Sequence, residues 1–198
     1  MYRGDRWFAQ VDSFLFLGFL LWFLGEFTWS FYTLILGVQI PYPSLADAFW
    51  LAGYPLVLVG MVAFVSPFKV AMRRRNLLVA SVVSVAALGF VVRGLVLPVL
   101  SFSTDIISDV VGLAYPMLDI ALLFALIMGL LLFWGGKMAR WWYWLIAGAI
   151  LTAVGDILFS YFTAIGTYYD GHPLELFFEF GYTCFGLAVH DRFRGLSQ

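Results

Sequence analysis

Long apolar runs, broken only by short charged or Pro- and Gly-containing segments, constrain this chain more than any other feature. A helical span of the hydrocarbon core takes about 20 residues. Hydrophobic residues make up 63% of the 198-residue sequence and charged residues 12%, whereas soluble domains are about half apolar and about a quarter charged. The sequence therefore predicts an all-α membrane protein, a single transmembrane domain over residues 1–198. Six transmembrane helices are predicted: 12–38, 45–67, 76–100, 104–134, 141–167 and 174–191.

The basic residues predict the orientation of these helices. Lys and Arg concentrate in short cytoplasmic loops, and here they precede the first helix, separate helices two and three, separate helices four and five, and follow the sixth. The other connections, 39–44, 101–103 and 168–173, contain neither Lys nor Arg. We therefore expect a multi-pass protein of the cell membrane with both termini in the cytoplasm. A formal net charge of −1 argues against a nucleic-acid partner.

Internal similarity predicts a repeated hairpin. The segments 25–33 and 155–163 align without gaps and share Gly, Ser and Thr at matching positions. Tyr54, Tyr115 and Tyr182 then recur at corresponding places in helices two, four and six. We expect three two-helix hairpin repeats in a pseudo-threefold bundle, with these approximate bounds: 12–67, 76–134 and 141–191.

Three ionisable residues fall inside the predicted helices at comparable depth: Glu26, Arg93 and Asp156. A charge at the bilayer centre costs about 2.5–3.5 kcal/mol on the insertion scale. We therefore expect these three charged side chains to pair with one another, which would offset the cost of burying them. We expect Arg93 to lie between the two carboxylates.

Each of the two acids begins a polar stripe. The stripes share the spacing i, i+4 and i+7, which places their members on one helix face: Glu26, Ser30 and Thr33 in the first helix, and Asp156, Ser160 and Thr163 in the fifth. With the repeat tyrosines Tyr54, Tyr115 and Tyr182, the stripes predict an outward-facing polar pocket for a small ligand or ion, in which Arg93 would bind an anionic group. The alternative is a buried ion-pair network that fixes helix register and binds nothing.

Three further acids lie near this predicted pocket. Asp119 comes one turn after Tyr115 and is expected to join the buried network. Glu179 is near the outer end of the sixth helix, where we expect it to be solvated. Asp47 follows Ser44 at the start of the second helix, and this spacing predicts a helix cap.

The sequence predicts no enzyme, no metal site and no cofactor. His172 and His190 are about 27 Å apart along what is mostly one helix, so they cannot share a metal or a haem. Lys69 and Lys137 lie outside the predicted helices, which leaves no lysine for a retinal Schiff base. Cys184 is the single cysteine, so the chain has no intrachain disulfide, and no histidine lies beside it to activate a nucleophile.

The motif Pro43-Ser-Leu-Ala-Asp47, followed by Gly53-Tyr54-Pro55, resembles the multi-span N-terminal membrane modules of prokaryotic signalling proteins. Those modules precede diguanylate cyclase (GGDEF), phosphodiesterase (EAL) or histidine kinase output domains. The resemblance is concentrated in residues 25–55, and it implies a sensory input domain without identifying a ligand. Because the sequence reaches only Gln198, shortly after the sixth predicted helix, we expect either a downstream output domain that this sequence does not include or a free-standing relative that acts on a separate partner.

The leading interpretation is a membrane sensory module that binds a ligand from the outer side and passes the signal through the sixth helix. One alternative is a small transporter or channel built from parallel hairpin repeats, although the inner halves of the predicted helices are almost wholly apolar. Another is a non-catalytic subunit of a membrane complex. The expected partners are membrane lipid, a small ligand from the outer side, a signalling output domain or partner protein, and, in a homodimer, a second copy of the chain.

Overall fold

The structure is a computed structural model that describes residues 3–38, 40–97, 105–136 and 138–196. These residues form six α-helices and no strand: α1 (Arg3–Ser30), α2 (Leu45–Val65), α3 (Arg74–Val91), α4 (Ile106–Phe133), α5 (Ala139–Ala164) and α6 (Glu175–Leu196). Three of the helices continue in a different helical form: a π-helical segment Phe31–Leu36 after α1, a 3₁₀ segment Ser66–Ala71 after α2 and a π-helical segment Val92–Val96 after α3. The predicted all-α fold is confirmed. The end of the third predicted helix, the connection 101–103 and Lys137 lie outside the described residues.

Five helical segments are long and apolar enough to cross a membrane, with mean hydropathies from 1.6 to 2.4: Trp7–Leu36, Leu45–Ala71, Arg74–Val96, Ile106–Phe133 and Ala139–Ala164. They identify the chain as a membrane protein. The sixth helix is not among these segments, because acidic and basic residues near its two ends shorten its apolar stretch. Length and composition therefore confirm five of the six predicted spans, and the sixth stays a prediction.

The helices pack chiefly as consecutive hairpins. α1 packs along α2, α3 along α4 and α5 along α6, while α4 also contacts α2 and α5. The rings of Phe19 and Trp22 in α1 lie 5.7 and 5.4 Å from the ring of Phe185 in α6, so α1 also meets α6. α3 lies at the edge of this arrangement, and most of its apolar side chains, such as Val82 and Phe90, are exposed. A surface of this composition suits contact with lipid tails.

Small residues allow two of the hairpins to pack closely. A Cβ atom on Gly18 of α1 would lie 3.1 Å from the carbonyl oxygen of Gly53 in α2, and one on Gly53 would lie 2.9 Å from that of Gly18. Gly148 in α5 and Gly181 in α6 approach each other in the same way, at 3.0 and 3.3 Å. The α1–α2 and α5–α6 hairpins are therefore each held together at a glycine pair, where a side chain would force the helices apart.

The end of the bundle at which α2, α4 and α6 finish is called the basic end here, because it carries the basic loops: Lys69, Arg73, Arg74, Arg75, Arg140, Arg192 and Arg194. Packed aromatic rings fill its interior. Phe64 and Trp142 are 1% and 0% exposed, and their ring centroids lie 5.8 Å apart. Trp141 lies 5.1 Å from Phe64. This half of the bundle is a dense apolar core.

Arg192 of α6 joins three helices at the basic end. Its guanidinium lies 4.8 Å from the ring centre of Phe64 in α2 and 4.9 Å from that of Trp141 in α5, and it forms an ion pair with Asp12 of α1. The side chain is only 9% exposed. Cation–π contacts of this kind strengthen as the cation loses water, so Arg192 contributes more than an ordinary surface charge.

Arg192→Met is expected to lower the free energy of unfolding by about 2 kcal/mol, because it removes two cation–π contacts and a partly buried ion pair while keeping an unbranched side chain. Arg140→Met is the matched control, since Arg140 pairs with Asp191 but is 68% exposed, and a solvated pair contributes little. Unfolding in mixed dodecyl maltoside and SDS micelles measures both. Equal losses in the two variants would contradict this role for Arg192.

Candidate functional site

A cavity of about 220 Å³ opens at the end of the bundle opposite the basic end, and α1, α2, α4, α5 and α6 all contribute to it. Acidic residues are prominent in its wall: Glu26, Asp47, Asp156, Asp170, Glu175 and Glu179. Among the described residues that line it, none is Lys, Arg or His. The ion pairs Arg140–Asp191 and Arg192–Asp12 lie near the basic end. The cavity is therefore electronegative.

Aromatic rings form most of the remaining wall: Trp22, Trp29, Trp50, Tyr54, Tyr115, Phe159, Tyr168, Phe178 and Tyr182. Several of these rings contact one another in tilted or edge-to-face arrangements. The ring of Trp29 lies 5.9 Å from that of Trp50 and 6.3 Å from that of Phe159, the latter edge to face. The cavity thus combines apolar ring surfaces with a few convergent polar groups, which is the usual composition of a small-molecule site.

The predicted polar stripe of the first helix lies on the cavity wall. Glu26, Ser30 and Thr33 all line it, as their i, i+4, i+7 spacing predicts. Thr33 belongs to the π-helical segment at the end of α1, and π-helical turns inside longer helices occur often at functional sites. The placement of this stripe is therefore as expected, while a role in binding stays a prediction.

In the wall of the cavity, Tyr54 of α2 joins two buried carboxyl groups. Its hydroxyl donates to Oδ1 of Asp119 in α4 at 2.7 Å and lies 3.2 Å from Oδ2 of Asp156 in α5. Asp119 and Asp156 are 4% and 9% exposed. The Tyr54 hydroxyl lies within hydrogen-bond distance of both acids, so it links three helices. The expectation that Asp119 joins the buried network is confirmed.

A second tyrosine connects α4 to the start of α2. The hydroxyl of Tyr115 donates to Oδ1 of Asp47 at 2.8 Å. Oδ2 of Asp47 accepts from the Ser44 backbone N–H at 2.6 Å and from the Ser44 hydroxyl at 2.9 Å, and Ser44 itself caps α2 by accepting from the Ala46 N–H at 3.2 Å. The predicted cap is confirmed. Asp47 also lines the cavity, which the sequence did not indicate.

The loop between α5 and α6 forms part of the cavity mouth. Oε1 of Glu175 accepts from the hydroxyl of Tyr168 at 2.9 Å and from the backbone N–H of Gly171 at 2.7 Å. These bonds tie the loop to the first turn of α6. Burial, and to a smaller extent the charge of Glu175, raises the pKa of Asp170 in this loop above its ordinary value.

The second predicted stripe is divided between separate places. Asp156 lines the main cavity, but the hydroxyl of Ser160 donates to the Gly112 carbonyl at 3.2 Å and so links α5 to α4. Thr163 lines a smaller neighbouring cavity of about 170 Å³ together with Tyr42. Of this stripe, only Asp156 lies in the wall of the main cavity.

The structure corrects the expectation for Arg93. Its side chain is exposed, in the π-helical segment that follows α3, and it is not among the residues that line either cavity. α3 packs on α4 at the edge of the bundle, so Arg93 does not lie between Glu26 and Asp156. Counting residues along the helices measures depth in the membrane, whereas the direction in which a side chain points depends on which helices pack together. The ion-pair network that was the alternative to a pocket therefore lacks its cation.

Sequence reasoning missed several residues of the cavity wall. Two tryptophans of α1 are spaced with Glu26 at i, i+4 and i+7: Trp22, Glu26 and Trp29. In α2, Asp47 and Trp50 follow a similar helical spacing with Tyr54, which the sequence had already predicted. Extending the polar stripes to aromatic residues at helical spacing would have found them.

Comparison with protein-family models, with curated proteins and with solved structures found no match for this chain. The resemblance of residues 25–55 to prokaryotic sensory modules therefore stays a prediction. Within the described residues, no group of three or more His, Cys, Asp or Glu side chains is arranged to hold a metal ion.

Proposed function

We propose that this protein is a membrane sensory module whose cavity binds a small ligand from the outer side and passes the signal to a cytoplasmic or membrane partner. The observation that carries the proposal is the cavity of about 220 Å³, walled by carboxyl groups and aromatic rings from five helices. A ligand that contacts so many helices binds differently to two packings of them, and so shifts the equilibrium between those packings.

The distribution of basic residues supports the orientation in this proposal. Every basic loop named above lies at the basic end, opposite the cavity, and such loops are cytoplasmic in most membrane proteins. With α6 as a sixth span, both termini are cytoplasmic and the cavity opens outward. The matched glycine pairs Gly18–Gly53 and Gly148–Gly181 support related first and third hairpins. A pseudo-threefold arrangement of three hairpins is part of the same proposal.

α6 offers a route for the signal. Its first turns supply Glu175, Glu179 and Tyr182 to the cavity. At its far end, Asp191 accepts from Nε of Arg140 at 2.6 Å, which ties α6 to α5. Because one continuous helix joins the cavity to the basic end, a shift of α6 on ligand binding would be felt at the cytoplasmic surface.

The packing of the basic end favours a sensor over a transporter. A through-path would pass the interior that Phe64, Trp141 and Trp142 fill, and these side chains are at most 4% exposed. Protein interiors packed in this way leave few voids larger than a water molecule. The cavity is thus closed toward the basic end in this conformation.

Native mass spectrometry of protein purified without denaturation tests the ligand-binding part of the proposal. We expect a discrete small molecule bound to the wild type and at least a tenfold loss of its occupancy in Glu26→Gln, because this variant removes a cavity carboxylate and keeps the side-chain shape. Arg93→Gln is the matched control: it also replaces one charged side chain by an amide, but outside the cavity, and it should retain the molecule.

Two results would contradict the proposal. A wild type that carries no small molecule would favour the non-catalytic membrane subunit. A molecule held equally by all three proteins would place the binding site elsewhere on the surface.

A further inference from the structure

The charge and the walls of the cavity indicate which class of ligand it accepts. We propose that the ligand is a small organic cation with an ammonium group, held by the cavity carboxylates and by the faces of its tryptophans. This inference rests on the proposed function and adds the chemistry of the ligand. It reverses the expectation of an anionic ligand that depended on Arg93.

The first argument is electrostatic. Six acidic residues and no basic one line the cavity among the residues described, so an anion would find no positively charged partner there. Asp47 and Asp156 are 4% and 9% exposed. Asp47 accepts three hydrogen bonds of its own, whereas Asp156 shares the hydroxyl of Tyr54 with Asp119. Because a buried charge needs a partner of opposite sign, a cationic ligand fits this set of carboxyl groups, whereas an anionic ligand does not.

The second argument is the geometry of the aromatic wall. Trp29 makes an edge-to-face contact with Phe159 and a tilted contact with Trp50, which meet its ring at 78° and 40°. Trp22, Trp29 and Trp50 all line the cavity, so tryptophan rings border the volume that a ligand would occupy. Ammonium groups bind over aromatic rings through cation–π attraction, and Trp is the most effective of them.

The third observation is independent of charge. Thr33 Oγ1 is buried, has no hydrogen-bond partner in the described part of the chain, and belongs to a residue that lines the cavity. A buried polar group without a partner is costly. A ligand that carries a hydroxyl or carbonyl oxygen beside its ammonium group would supply the missing partner of the Thr33 hydroxyl.

Charge-matched probes test the proposal. Choline carries a quaternary ammonium and a hydroxyl, and 3,3-dimethyl-1-butanol is its uncharged analogue of the same shape. Isothermal titration calorimetry of the wild type in dodecyl maltoside micelles should give choline at least tenfold tighter binding than the neutral analogue. The anion 3,3-dimethylbutanoate should not bind measurably.

Two variants and a control locate the binding. Glu26→Gln is expected to weaken choline binding at least tenfold, and Trp29→Leu about threefold to thirtyfold, since Leu keeps apolar contact but removes the ring face. Neither change should alter the binding of the neutral analogue by more than about twofold. Arg93→Gln should bind choline as the wild type does, because Arg93 lies outside the cavity.

The outcomes separate this inference from the proposed function. Equal binding of choline and its neutral analogue would overturn the cationic class while leaving a ligand cavity. The same conclusion follows if native mass spectrometry finds a retained anion. Choline binding that all variants keep would place the ammonium site elsewhere and overturn the inference. Lack of binding by all three probes would overturn it as well, and the retained molecule in native mass spectrometry would then decide the proposed function separately.

An ammonium group can come from a soluble molecule or from a lipid headgroup. Choline titrations in phosphatidylglycerol nanodiscs, with and without added phosphatidylcholine, distinguish these sources. We expect unchanged choline affinity, because Tyr168, Asp170 and Gly171 of the loop between α5 and α6 border the cavity at the end of the bundle. Competition by phosphatidylcholine would support the same ammonium chemistry and assign it to the headgroup.

Discussion

Trp142→Ala is expected to lower the free energy of unfolding by about 3–5 kcal/mol, the range for removing a large aromatic side chain from a packed core. Trp142 is 0% exposed. It occupies the space left by Gly129 of α4, where a Cβ atom would lie only 2.2 Å from its ring, and it stacks on Phe133 with ring centroids 5.8 Å apart. Neighbouring side chains cannot fill a hole of this size between α4 and α5.

Tyr143→Ala is the matched control for this variant. Tyr143 is the next residue of α5, but its side chain is 45% exposed, so its removal leaves no enclosed hole. Reversible unfolding in mixed dodecyl maltoside and SDS micelles should give a loss for Tyr143→Ala that is well below that for Trp142→Ala. Similar losses in both variants would mean that the basic end is not the packed core described above.

The contrast between these neighbouring aromatics illustrates what the sequence predicts and what it does not. Hydropathy predicts that α5 crosses the membrane. A segment in lipid must satisfy its backbone hydrogen bonds internally, so the sequence also predicts that α5 is a helix. It does not distinguish Trp142 from Tyr143, since lipid and protein interior are both apolar. The pairing of Trp142 with Gly129 depends on which helices are neighbours.

The same limit applies to the prediction of the candidate site. Spacing along a single helix placed Glu26, Ser30 and Thr33 on one face, and all three line the cavity. Such a prediction uses only the helical repeat. Predicting the position of Arg93 also requires the position of α3 in the bundle. α3 lies at the edge.

Asp47 shows a different reason for an incomplete prediction. Its position after Ser44 predicted a helix cap, and one of its oxygens has that role. A carboxylate has two oxygens and accepts several hydrogen bonds, so the cap left the other oxygen available to Tyr115. Identifying one function for a side chain therefore did not exclude a second one.

Tyr54→Phe is expected to lower the free energy of unfolding by about 3 kcal/mol. The variant keeps the ring, which meets Trp22 edge to face at 5.1 Å, and removes only the hydroxyl that Asp119 and Asp156 share. Leaving a buried acceptor without its donor costs about 1–3 kcal/mol, and more for a charged group. Tyr143→Phe is the control, because Tyr143 is 45% exposed and loses only a solvated hydroxyl.

A double-mutant cycle identifies the cause of that loss. Replacing Asp119 by Leu in the Tyr54→Phe background removes one of the two carboxyl groups left without the phenol, so the double variant should be less destabilised than the sum of the single variants. Coupling of this kind, about 0.5–3 kcal/mol, is typical of residues in one hydrogen-bond network. Additive losses would mean that the Tyr54 hydroxyl does not hold the acids together. Coupled losses, accompanied by weaker choline binding in Tyr54→Phe, would connect the stability of three helices to the shape of the cavity above them.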